Sequence, residues 1–157
     1  VIRRATIVAV GRIRGWAGEG CRDYAGRLRR YFPMEIVEVP EADMNRLSPG
    51  EVLEAEAGRL LKRIPGGTHV VALDRERGRE VSSEDLARWL RTLGVSGRSH
   101  VAFVIGGPLG LSRAVLDRAD EAISLGRITL PHALARVVLL EQLYRAVRIE
   151  RGEKYHW

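Results

Sequence analysis

Two short stretches late in the chain hold residue types that chemistry could use. Residues 106–110, Gly-Gly-Pro-Leu-Gly, set three glycines around one proline directly after the apolar run HVAFVI (100–105). Glycine lets backbone approach a ligand closely, so Gly106 and Gly107 are candidate contacts, although a plain strand-to-helix turn has the same composition. A side chain at Gly106 is expected to fill ligand space and leave the fold intact. The second stretch, LGRITLP (125–131), leads into His132 and a long apolar helix from Leu134 to Val147. The helix dipole disfavours a charged imidazole at such an entrance, so a neutral His132 can cap the helix, bind a ligand or accept a proton.

Arg136 is the odd residue of that helix. At 100° per residue it projects with Leu140, Leu143 and Val147, away from the stripe of Glu141, Arg145 and Arg148. A guanidinium on the dry side needs a carboxylate, a phosphate or several carbonyl acceptors. Either an internal ion pair or a ligand site answers that need. Beyond the helix, Tyr155 and His156 offer an aromatic ring and an imidazole in a tail, and both groups can stack on or hydrogen-bond a splayed base.

Several chemistries find no support. Leu111-Ser112 follows the glycine turn where a phosphate-binding loop has Gly-Lys-Ser/Thr, and neither a dinucleotide fingerprint nor a G-x-S-x-G elbow is present. Cys21 is the single cysteine, so no internal disulfide forms, and no Cys/His cluster suggests a metal.

The elements that must position these residues read as strands alternating with helices. ATIVAVG (5–11) is a first strand, residues 16–32 a helix, and MEIVEV (34–39) a second strand. Ser48, Pro49 and Glu51 open a helix through a capping box, and it runs to Ile64 before Pro65-Gly66-Gly67. HVVAL (69–73) and HVAFVI are near-continuous apolar runs, as in strands buried on both faces. Between them lie the charged loop DRERGRE and a capped helix ending at Gly94. A helix at 112–122, a short strand AISL and the terminal helix complete the order βαβαβαβαβα. That order predicts one α/β domain over residues 1–157 with a mainly parallel sheet, and ligands at the carboxyl ends of strands.

The chain of 157 residues has 45% apolar residues and no run long enough to span a membrane. The basic start VIRRATIVAVGRIRGW reads as a strand rather than a signal peptide, and the single cysteine suits a reducing cytosol. The net charge of +6 favours an anionic partner such as nucleic acid. All the basic residues except Lys62 and Lys154 are arginine, which coding bias produces as readily as phosphate binding.

FVIGGPLGLS, SLGRITLPHALARVVLLEQLYRA and the terminal RGEKYH, in that order, resemble the ribosomal RNA large subunit (pseudouridine-N3)-methyltransferase H family of the SPOUT class. Lys154 departs from the proline that many members carry before Tyr-His. The resemblance implies an α/β knot, in which the C-terminal segment threads a loop to form a deep trefoil. It also implies a cytoplasmic homodimer with S-adenosylmethionine held at the knot. By motif position, Leu73, Gly106 and the run Leu125, Gly126, Arg127, Ile128, Thr129 and Leu130 would hold the cofactor, with Gly107 beside them. The implied substrate is a pseudouridine in a stem-loop of 23S ribosomal RNA on the assembled ribosome. Removal of the N3 proton calls for a base, with His132 and His156 as candidates; Arg136 could steady the anion and Tyr155 serve the target base. A non-catalytic RNA-binding or ribosome-assembly factor on the same fold is the alternative.

Overall fold

The apolar runs become the strands of one sheet, and their burial on both faces explains why they lack alternation. In a computed structural model describing residues 2–155, β1 (Arg4–Val10), β2 (Met34–Val39), β3 (His69–Leu73), β4 (Arg79–Glu80), β5 (His100–Ile105) and β6 (Glu121–Ser124) alternate with five helices. These are α1 (Gly15–Leu28), α2 (Pro49–Arg63), α3 (Ser83–Val95), α4 (Arg113–Arg118) and α5 (His132–Glu150). The sheet order is β2-β1-β5-β3-β6-β4, and every strand pairing is parallel.

Side chains alternate between two cores, as a period of two requires. Ile7, Val71, Phe103, Ile105 and Ile123 face α1, α3 and α5, while Val8, Val70, Ala72 and Val104 face α2 and α4. α5 packs against both α1 and α3. Arg136, Leu140, Leu143 and Val147 of α5 are all buried, as their common face requires.

Capping boxes open α2 at Ser48 and Glu51, as expected, and α3 at Ser82 and Asp85. Three segments differ from expectation. The first helix stops at Leu28, and residues 29–32 turn toward Pro33, whose ring disfavours helical backbone in the residue before it. The helix expected over 112–122 ends at Arg118. Val70 N–H donates to Asp120 Oδ2 at 2.8 Å and Asp120 N–H to Val70 O at 2.8 Å, so residue 120 is stitched to β3 and a strand starts at Glu121. The charged loop after β3 contains β4, which joins the sheet edge beside β6. Gly78 permits this close approach, because a Cβ there would overlap the Ile123 backbone.

Glu121 anchors the amino end of the sheet. Its Oε2 lies 2.5 Å from His69 Nε2 and accepts from Trp89 Nε1–H at 2.8 Å, and Trp89 packs edge-on against Phe103. Burial pushes this carboxyl up, but the hydrogen bonds from His69 and Trp89 outweigh it and hold Glu121 below the usual carboxylate range. A group depressed in this way contributes stability above its unfolded value, about 4.3, and loses it as pH falls through the folded value. Glu121→Ala should therefore cost about 1–3 kcal/mol at pH 7, because it strands Trp89 N–H and the imidazole. Urea titrations should show the gap to wild type narrowing below about pH 4; a gap constant down to pH 3 would contradict this account.

Candidate functional site

β3, β5 and β6 are neighbours in the sheet, so the loops leaving their carboxyl ends meet on one side. They enclose a cleft of about 610 Å³, a size suited to a cofactor-sized molecule. From β3 come Leu73 and Arg75, and from the β5 loop come Gly106, Gly107, Pro108 and Gly110. The β6 loop supplies Leu125, Gly126, Ile128, Thr129, Leu130 and Pro131, and α5 adds His132 and Ala135. The glycines and apolar residues named from sequence thus come together. Arg127 is the exception; it is absent from the walls, and its carbonyl accepts from Arg75 Nη1 at 3.3 Å.

Sequence reasoning missed Arg75, Ile105, Ala135 and the tie beneath the loops. Ser124 Oγ lies 3.0 Å from Arg75 O and accepts from Gly126 N–H at 3.1 Å, so one hydroxyl joins the loops after β3 and β6. Gly126 needs no side chain to do this, and its φ of +118° suits glycine alone. A hydroxyl at a strand end beside a glycine was the available signal.

The expectation for Gly106 needs correction. A Cβ on Gly106 would run into the backbone of Gly110, not into open ligand space. Gly110 N–H donates to Gly107 O at 2.9 Å, so the turn folds back on itself directly over Gly106. Gly106→Ala should unseat the turn with some loss of stability from the overlap and, where the cleft takes the cofactor that the sequence resemblance implies, weaken its binding at least about tenfold. Calorimetric titration with S-adenosylmethionine beside thermal melting tests this; wild-type affinity in the variant would place the turn outside the binding wall. Under the same turn lies Glu56, 3% exposed. Its Oε2 accepts from Ala42 N–H at 3.0 Å, and Oε1 has no hydrogen-bond partner among the described residues.

His132 is the first residue of α5, and Pro131 occupies the cap position with no side-chain cap. His132 therefore does not cap. Its Nε2 lies 3.5 Å from Glu41 Oε1, with the ring about three-quarters buried against the cleft.

Arg136 stands one turn deeper and is 1% exposed. Its acceptors come from the chain itself. Nη1 meets Glu38 Oε2 at 2.5 Å, and Nη2 donates to Val10 O at 3.2 Å and Gly11 O at 3.0 Å. Glu38 Oε2 also accepts from Ile13 N–H at 3.0 Å. The side chain thus pins the end of β1 and the loop beyond it, and it does not line the cleft.

Tyr155 is not brought to the cleft within one chain. Its hydroxyl donates to Glu141 Oε2 at 2.9 Å, its ring packs edge-on against Tyr144, and Arg145 lies 4.7 Å over its face. Burial, then hydrogen bonds with Tyr24 and Glu141, push its phenol well above the ordinary tyrosine value. The tail up to Tyr155 is therefore part of the packing. His156 lies outside the described residues.

The family model described as "Predicted SPOUT methyltransferase" matches residues 4–156. The chain belongs to the SPOUT methyltransferases. A Rubrobacter xylanophilus protein named ribosomal RNA large subunit methyltransferase H is 73% identical over 158 residues, with 100% of both chains covered. A Listeria welshimeri protein of the same name is 49% identical, covering 96% of this chain and 97% of that one. Among solved structures, a probable methyltransferase from Bordetella pertussis Tohama I shares the fold with a TM-score of 0.53 at 19% identity, covering 93% of this chain and 95% of the other. The fold is thus the α/β knot of the SPOUT class, and the cleft lies where this SPOUT chain gathers its C-terminal loops.

Proposed function

We propose that this protein methylates N3 of a pseudouridine in a stem-loop of 23S ribosomal RNA, using S-adenosylmethionine, on the assembled ribosome in the cytoplasm. The observation that carries the reading is the convergence of three separate loops into one cleft in a chain 73% identical to a protein named for ribosomal RNA methylation. The excess of six positive charges supports a polyanionic substrate.

The walls fit the cofactor. Leu73, Ile105, Leu125, Leu130 and Ala135 suit an adenine ring and a thioether, and backbone groups of 106–110 and 125–130 supply polar contacts. Among the described residues no carboxylate side chain lines the cleft, so carbonyl oxygens would meet the positive sulfonium. Bound there, S-adenosylmethionine supplies an activated electrophilic methyl group. The residues must then align the imide nitrogen and accept its proton. His132 is the wall residue able to do so, with Glu41 beside Nε2 to orient the ring. Arg136, bound through both Nη atoms to Glu38 and two carbonyls, acts by fixing the neighbouring loop rather than by touching the reacting base.

The homodimer is part of the same proposal. Ala133, Leu134, Val137 and Val138 remain half-buried on the first turns of α5, which leaves apolar surface for a second copy to cover. Light scattering at micromolar concentration should give twice the chain mass; a stable monomer would count against it.

The decisive experiment incubates the protein with labelled S-adenosylmethionine and ribosomes from a strain lacking the activity, then maps the modified nucleotide. Label on N3 of one pseudouridine in 23S RNA is the expected result. Binding to ribosomes with no transfer would favour a non-catalytic assembly factor.

A further inference from the structure

Trp16 stands at the start of α1. It is 69% exposed, whereas Trp89 is half-buried and hydrogen-bonded. Arg12 and Arg14, also exposed, stand on either side of the turn leading to it. Residues 11–22 carry Arg12, Arg14 and Arg22 against one acid, Glu19.

The loop is held firmly despite its exposure. Gly11 at φ +93° and Gly15 at φ +63° set its two bends. Arg136 grips the carbonyls of Val10 and Gly11, and Glu38 holds the N–H of Ile13. The Arg136–Glu38 pair therefore fixes the backbone that leads into Trp16, a ring flanked in sequence by Arg12 and Arg14, with Glu41 the acid beside Gly11. Rigidity of this kind lowers the ordering cost of binding a partner. The loop also adjoins the cleft, since a Cβ on Gly11 would lie 3.4 Å from His132 Nε2. Five residues span at most about 18 Å, so Trp16 stands within a few nucleotides of the cleft mouth.

We infer that residues 11–16 form a platform for single-stranded RNA, on which Trp16 stacks an unpaired base near the target nucleotide while Arg12 and Arg14 meet its phosphates. This rests on the ribosomal RNA methyltransferase reading and adds to it the element that grips RNA outside the cleft. Every base offers a π face, and arginines beside an aromatic ring suit a strand whose bases are splayed. A second copy of the chain is the competing occupant. The two exposed arginines and the net charge of +6 suit a polyanion better than a copy of the same basic chain.

The test measures KM for ribosomes, affinity for S-adenosylmethionine and mass by light scattering for wild type, Trp16→Ala, Trp16→Phe and Arg12→Ala/Arg14→Ala. Trp16→Ala should raise KM about ten- to hundredfold, in the range of a lost base stack, and Trp16→Phe should recover most of it. The arginine pair should flatten the salt dependence of ribosome binding by about one to two contacts. Cofactor affinity and mass should stay at wild-type values. An unchanged KM in Trp16→Ala, beside a wild type that methylates ribosomes, overturns the platform alone. A Trp16→Ala protein of altered mass also overturns it, in favour of self-association. A wild type that transfers no methyl to ribosomes overturns the methyltransferase reading and the platform with it.

Discussion

Replacing His132 with alanine should lower kcat for ribosome methylation by about 10²–10⁴-fold, the usual contribution of a positioned acid–base group. Cofactor affinity should change far less, because His132 is one wall residue among many and the glycine turn is untouched. The fold should survive: the ring caps nothing, and Glu41 beside it is about half exposed. His132→Gln preserves polarity and volume but supplies no base, so it should resemble alanine in kcat. Single-turnover methylation with saturating cofactor separates these effects from binding. Near-normal turnover in both variants would pass the proton to His156 or to solvent.

Arg136→Ala should be among the most destabilising single changes in the chain, at about 3 kcal/mol. Three acceptors lose the guanidinium together: Glu38 Oε2, which keeps only Ile13 N–H, and the carbonyls of Val10 and Gly11. The low end of the range for a broken buried pair applies, because the Glu38 side chain is 33% exposed and water can reach it. Arg136→Lys should recover little, since one ammonium cannot span a carboxylate and two carbonyls in that fork. Urea unfolding of Arg136→Ala, Glu38→Gln and the double variant would give the coupling directly. Additive losses would mean that the pair holds nothing together.

Much of this was legible because the physical signal was local. Ser48, Pro49 and Glu51 announce the start of α2 within four residues, and buried parallel strands such as HVAFVI stand out as unbroken apolar runs. The cleft was legible because its walls are mostly glycines and apolar residues at strand ends, at positions the family motifs mark. What was hidden depends on partners far along the chain. Glu38 looked like any outward residue of an alternating edge strand, and nothing near it points to Arg136, 98 positions away. β4 consists of two exposed charged residues, so no hydrophobic pattern could reveal it; only Gly78, forced by Ile123, hints at the close approach. Tyr155 was noticed as an aromatic in a tail, but its docking on Tyr144 and Glu141 follows from a chain reversal after α5 that has no periodic signature.

The sheet order also governs how the chain is made. β1 sits inside the sheet, between β2 and β5, and Ala5 pairs with Val101, almost a hundred positions later. At roughly 5–20 residues per second, several seconds of synthesis separate these partners. Throughout that time ATIVAV, fully buried in the finished protein, has only β2 on one flank and an open row of backbone donors and acceptors on the other. Closing a loop of that length is slow as well as late, because its entropy is lost before any long-range contact is gained. The nascent chain is therefore most vulnerable to aggregation between the emergence of residue 39 and that of residue 105, and a chaperone acting on it would find its target in the first strand.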